Sequence, residues 1–246
     1  MAYSSAEKDF YQRHYQGELR LAQRGTLPAT EAAWFAPGKR YSLLLSELDP
    51  NARYGTAVEI GCSSGDCIVF LGSRFSFDKL IGVDIAFPDD AQTQLDGVQF
   101  MQANSNERLP LDDGSVDVYV AMMVIEHLFD PFHAFREIKR LLSPQGRAFV
   151  NLPLVTSIKN RLRLLSGRLP VTSVPFERWL VDREWDGNHL HYFSVDSIHR
   201  LAALHGLSVT QTAGVGSHHR LKSMAPRLLA NELSFVLQHQ AGSVAA

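Results

Sequence analysis

Two carboxylates, Glu59 and Asp84, stand at or next to the ends of apolar runs, in Ala57-Val58-Glu59-Ile60-Gly61 and Leu80-Ile81-Gly82-Val83-Asp84. Between them lies the turn Gly61-Cys62-Ser63-Ser64-Gly65-Asp66. An acid at a strand end accepts strongly from a pair of hydroxyls, and glycines in the turn leave bare backbone where a ligand must pass. The chemistry suited to this spacing is capture of a nucleoside through its ribose. The turn is Gly-x-x-x-Gly and lacks the Gly-x-Gly-x-x-Gly spacing that aims a helix N-terminus at a pyrophosphate. A ribose without a diphosphate is expected, which favours S-adenosylmethionine over a nicotinamide dinucleotide.

The elements that must position these acids can be followed along the chain. The two apolar runs read as parallel strands joined by a helix, the unit that opens a ligand crevice at its strand ends. Strands are then predicted at 98–102, 116–122 and 148–152, a helix at 194–205 stopped by Gly206, and strands at 207–212 and 233–237. Pro37-Gly38 precedes a helix over 39–48, on which Tyr41, Leu44, Leu45 and Leu48 recur at helical spacing. Asp130-Pro131 is an N-cap and first-turn pair for a further helix, with Phe132, Phe135, Ile138 and Leu142 on its buried face. Alternation of strand and helix predicts an α/β fold, a mainly parallel sheet with helices on both faces.

Bulk properties narrow the function classes. The 246 residues suffice for one α/β domain with an elaboration. A formal charge of -2 argues against a broad nucleic-acid or anionic-membrane surface. No apolar run approaches a membrane span, and the N-terminus lacks a signal-peptide core, so a cytoplasmic location is expected. Cys62 and Cys67 are the chain's two cysteines. Without a second pair they read as buried, reduced packing residues, and no metal is expected.

The ordered set from Glu59 through Asp84, Asn104-Ser105, the strand 116–122 with Glu126-His127-Leu128-Phe129-Asp130-Pro131, and Leu141 to Asn151 resembles the class I S-adenosylmethionine-dependent methyltransferases. The resemblance implies a Rossmann-like, seven-stranded sheet with an antiparallel last strand. It also implies site roles. Glu59 would fix the methionine amino end; Gly61, Cys62, Ser63 and Gly65 would pass under the methionine and ribose. Asp84, followed by Ile85, would hold the ribose hydroxyls. Asn104 and Ser105 would meet the adenine, and Ala121 and Met122 would line the floor. Two positions depart from the family pattern: Asn104 stands where Asp is usual, and Ser63 replaces a common glycine.

Residues 1–36 form an N-terminal segment whose Tyr11 and Tyr15 are expected to cover the site as a lid, ahead of a methyltransferase domain over 37–246. Residues 153–191 exceed the minimal fold and resemble an extension found in MetW-like proteins and in methyltransferases of glycan and secondary-metabolite pathways. By that resemblance the extension is the acceptor wall, with Trp185 and His191 beside the substrate, a small molecule, sugar or carrier-linked group. A hydroxyl acceptor needs a base. His189 is the first candidate and His127 the second, each with a structural role as the alternative. Lys159, Arg161, Arg163 and Arg168 read as a solvated helix face or as a wall for an anionic acceptor. Two other functions stay open: a MetW-like accessory protein that binds the cofactor without transferring methyl, and a nicotinamide-dependent oxidoreductase, which the missing pyrophosphate turn disfavours.

Overall fold

The computed structural model of the chain describes residues 35–63, 65–85, 87, 94–95, 97–173 and 189–242. In order they form α1 (Ser42–Glu47), β1 (Arg53–Ile60), α2 (Asp66–Arg74), β2 (Ser76–Asp84), β3 (Gln94–Leu95), β4 (Val98–Gln102) and β5 (Val116–Met122). A 3-10 turn (Ile125–His127), α3 (Pro131–Leu141), β6 (Leu142–Pro153), α4 (Ile158–Leu165) and α5 (Val195–Leu204) follow. The chain ends with β7 (Leu207–Gly214), α6 (His219–Met224), α7 (Pro226–Leu229) and β8 (Glu232–His239).

These strands make one sheet in the order β3-β4-β2-β1-β5-β6-β8-β7. Strands β4, β2, β1, β5 and β6 are parallel, while β8 lies antiparallel between β6 and β7. The two-residue β3 adds a short antiparallel edge to the seven longer strands. The sequence expectation of a mainly parallel, Rossmann-like sheet with an antiparallel last strand therefore holds. From β1 the chain winds outward to β2 and β4 on one side and to β5 and β6 on the other. The order reverses between β1 and β5, the point in an open α/β sheet beyond whose carboxyl ends a ligand crevice is expected.

Successive strand residues point to opposite faces and feed two apolar layers. Val58 and Ile60 pack with Phe135, Ile138, Leu141, Ile198 and Leu201. Ala57 packs on the other face with Leu44, Ile68, Leu71 and Phe149. Helices α3 and α5 thus cover one face, α1 and α2 the other. Asp130 caps α3, its side chain accepting the Phe132 N–H at 2.8 Å. The predicted buried face of α3 needs correction, because Phe132 is exposed and the inward residues are Ala134, Phe135, Ile138 and Leu141. Phe135 and Ile138 are shared with the predicted face, while Phe132, in the first turn of the helix, stays outside the core. Leu142 is buried but opens β6, which starts earlier than expected.

The far end of the extension is stitched to the domain by backbone. Leu154 bridges Phe193, the Val155 N–H donates to the Phe193 carbonyl at 2.9 Å, and the Leu190 N–H donates to the Glu126 carbonyl at 2.9 Å. Residues 189–193 are thereby held against the loop after β5. Tyr11 and Tyr15, and Trp179 and Trp185 of the extension, lie outside the described residues. Among the described residues no helix is long and apolar enough to cross a membrane.

Candidate functional site

At the end of β1 the backbone turns through left-handed conformations at Gly61 (φ 65°), Ser63 (φ 48°) and Gly65 (φ 80°). Ser63, the departure noted in sequence, takes this conformation without being glycine, so the turn carries strain there. A side chain at Gly65 would run into the Phe100 ring at 2.5 Å, and one at Gly61 into Val124 at 2.6 Å. The Cβ directions of both glycines are thus filled by the protein's own packing, and space for a ligand lies elsewhere around the turn. Cys62 and Cys67 are free and buried, and the Cys62 sulfur sits over Gly82.

Asp84 ends β2 beside this turn and is half-buried. Its Oδ2 accepts the Ser63 N–H at 2.8 Å and its Oδ1 the Ile85 N–H at 2.7 Å. The carboxylate is pinned at the lip of the crevice, one strand away from Gly61. Glu59 is buried, its Oε2 accepting the Ile68 N–H at 3.0 Å and its Oε1 the Tyr41 hydroxyl at 3.4 Å. It therefore caps the first turn of α2. Loss of water around it pushes its carboxyl up to about 8, and the hydrogen bonds offset only part of that rise.

Asn104 and Ser105 follow β4, both half-buried. The Asn104 Oδ1 accepts from the Asn106 N–H at 3.0 Å and from the Asn106 side-chain amide at 3.1 Å. The Asn106 Oδ1 accepts the Phe129 N–H at 2.7 Å. This chain of amides joins the loop after β4 to the loop after β5. Ala121 and Met122 end β5, the first buried and the second half-buried. Met123 then adopts a left-handed φ of 59° and donates its N–H to the Asn151 carbonyl at 3.0 Å. That kink turns the chain into the 3-10 turn carrying Glu126 and His127.

The two candidate bases come together there. The His127 and His189 rings lie 4.9 Å apart, tilted by 75°. Between them is Glu126, fully buried, with Oε1 at 3.9 Å from His127 Nε2 and 4.0 Å from His189 Nε2. Among the described residues neither carboxylate oxygen has a hydrogen-bond partner. Burial lifts its carboxyl to about 8. The other ring nitrogen of His189, Nδ1, lies 2.7 Å from the Thr172 hydroxyl. His191 does not join this group: its Nε2 reaches the Phe129 carbonyl at 3.2 Å. Residues two apart in an extended stretch share a side only when the stretch is straight, and the bond of both Leu190 and His191 N–H groups to Glu126 shows that this one bends.

Glu126 and Thr172 are the residues that sequence reasoning missed. The signal for Glu126 was present, an acid set inside the apolar run Val124-Ile125-Glu126-His127-Leu128. Thr172 left none. On α4, the Arg161 and Arg163 guanidiniums donate to the Thr156 and Leu169 carbonyls at 2.8 Å each.

Comparisons with known proteins agree with this geometry. A family profile described as "Methyltransferase domain" matches residues 32–212. The chain is 32% identical over 155 residues to "Probable S-adenosylmethionine-dependent methyltransferase Rv3030" of Mycobacterium tuberculosis, covering 61% of this chain and 52% of that protein. The chain thus spans about half the length of the curated relatives it matches. Among solved structures, a Haloferax volcanii protein in complex with the methyltransferase activator Trm112 superposes with a TM-score of 0.60 at 18% identity, over 90% of this chain and 97% of that one. The 1,6-didemethyltoxoflavin-N1-methyltransferase of Burkholderia thailandensis, solved with S-adenosylhomocysteine, gives 0.54 at 14%, over 98% and 92%. At these identities the two structures speak for the fold.

Proposed function

The chain belongs to the methyltransferase-domain family, and from that premise we propose that it transfers methyl from S-adenosylmethionine to a hydroxyl of a small molecule, sugar or carrier-linked acceptor. The observation that carries the cofactor half is Asp84. It is an acceptor-only carboxylate, half-buried at the crevice where the strand order reverses, and pinned to the turn after β1. Such a group suits two ribose hydroxyls, each charge-assisted bond being worth roughly 1.5–3 kcal/mol. Glu59 acts one step back, holding the start of α2 and so the shape of the turn. Gly61 to Gly65, with Ile85, Asn104, Ser105, Ala121 and Met122, would surround the rest of the cofactor.

When bound, the cofactor supplies an activated sulfonium methyl, so the protein's part is alignment, water exclusion and removal of the acceptor proton. His127 and His189, with Glu126 behind both, are the groups that serve the proton step. In this reading residues 153–191 are the acceptor wall and the compartment is the cytoplasm.

Calorimetric titration with S-adenosylhomocysteine and with NADH tests the cofactor assignment. Binding of the first and not the second is expected; the reverse would assign the site to a nicotinamide enzyme. Mass spectrometry of hydroxylated acceptors, searching for a gain of one methyl, tests transfer. Cofactor binding with no methylated product across carrier-linked and free acceptors would instead support the accessory-protein reading.

A further inference from the structure

We propose that Glu126, His127 and His189 form a binding site for one divalent transition-metal cation of the zinc type. Each residue offers a ligand atom, and these atoms all lie within 4.8 Å of one another. A tetrahedral site with bonds of about 2.0–2.2 Å has ligand edges of about 3.4 Å. The Oε1 to Nε2 distances of 3.9 and 4.0 Å are longer by roughly half an ångström, so a cation would draw the three side chains together from separations of at most 4.8 Å.

Two further features argue for a cation here. Both oxygens of Glu126 are buried and lack a hydrogen-bond partner among the described residues, an expensive arrangement for a carboxylate that a directly bound cation relieves. The Nδ1 of His189 stands 2.7 Å from the Thr172 hydroxyl, the outer hydrogen bond by which a metal-binding imidazole is ordinarily oriented. Two imidazoles and one carboxylate suit zinc, cobalt, nickel or ferrous iron, while magnesium and calcium prefer oxygen alone. The fold groups His189 with His127 and Glu126, while His191 turns away to the Phe129 carbonyl.

Placement gives the site its consequence. Glu126 and His127 belong to the loop after β5, and His189 to the end of the extension, so a shared cation ties the acceptor wall to the domain. The backbone bond from Leu190 to Glu126 already brings the two together. Three protein ligands leave a coordination position for an acceptor oxygen. Resting on the hydroxyl-methylation reading, the cation would lower the pKa of that hydroxyl, so that its proton passes to solvent and the two imidazoles serve the proton step as neutral ligands of the cation in place of acting as the base.

The test uses the full chain, stripped with a chelator and titrated at neutral pH with zinc by calorimetry and with cobalt by visible absorption. One equivalent is expected, with cobalt bands of a four- or five-coordinate site. Glu126→Gln, His127→Ala and His189→Ala should each weaken binding at least tenfold while S-adenosylhomocysteine affinity stays put, which certifies the fold. No stoichiometric binding, or binding indifferent to all three substitutions, overturns the site. Either result with S-adenosylhomocysteine binding and methyl transfer intact leaves the methyltransferase reading standing; loss of those in the unsubstituted chain would fall on that reading instead.

Discussion

Nε2 of His189 stands 4.0 Å from Oε1 of Glu126, so the extension's only histidine held at this depth faces the one buried acid of the loop after β5 among the described residues. The contact is made because the Leu190 and His191 N–H groups share the Glu126 carbonyl, which fixes the strand's end against the 3-10 turn. Residues far apart in sequence thus act as one group. With a hydroxyl acceptor, His189→Ala is expected to cut turnover by a factor of roughly 10² to 10⁴. Affinity for S-adenosylhomocysteine should remain, since the crevice at Asp84 is built from other elements. The same measurement on His127→Ala separates the two rings. Wild-type rates in both variants would mean that methyl transfer runs by alignment alone.

Asp84 supports a sharper expectation. Asp84→Ala should weaken S-adenosylhomocysteine binding tenfold or more, equivalent to about 1.4 kcal/mol. It also frees the Ser63 and Ile85 N–H groups, both near solvent, so water can replace the lost acceptor and the fold should survive. Asp84→Asn keeps an oxygen for one of those N–H groups and should fall between wild type and Ala. Unchanged affinity in calorimetry for both variants removes Asp84 from the ribose role.

The sheet was legible in sequence because its strands are buried on both faces and read as largely apolar runs, as in Leu80 to Val83 and Val118 to Ala121. The crevice was legible too, since a strand order that reverses beside a glycine turn leaves few places for a ligand. Side-chain partners were not. Glycines at 61 and 65 announced a turn with bare backbone, yet nothing in the sequence told that Val124 and Phe100 fill their open sides. The base candidates were found as single histidines, but their grouping with Glu126 and Thr172 depends on where the extension returns, a long-range contact that local spacing does not encode. Phe132 failed for a simpler reason: it stands in the first turn of α3 and is exposed, although Phe135 and Ile138 on the same predicted stripe are buried.

The turn itself yields a stability test. Ser63 is exposed and left-handed without being glycine. Ser63→Gly removes that strain while keeping the backbone bond to Asp84, against the extra freedom glycine has when unfolded. A small gain of about 1 kcal/mol or less is expected. Gly65→Ala acts oppositely, placing a methyl 2.5 Å from the Phe100 ring in a left-handed position. It should destabilise by roughly 1–3 kcal/mol. Urea denaturation of both variants checks the pair, and equal stability of Gly65→Ala and wild type would mean that the turn opens easily.

Glu59 makes stability depend on pH. Burial holds its carboxyl up to about 8 in the fold, against an ordinary value of 4.5, so between these values the folded chain binds more protons than the unfolded one. Its contribution is complete below about pH 4.5, declines as pH rises and is gone once pH passes about 8. Glu59→Gln keeps an oxygen for the Ile68 N–H and cannot ionise. The wild type should therefore lose more stability between pH 5 and pH 8 than the Gln variant, read as the change in urea midpoint across that interval. Parallel pH profiles for the two proteins would place the Glu59 carboxylate in contact with water or with a cation, contrary to its burial beneath Tyr41 and α2.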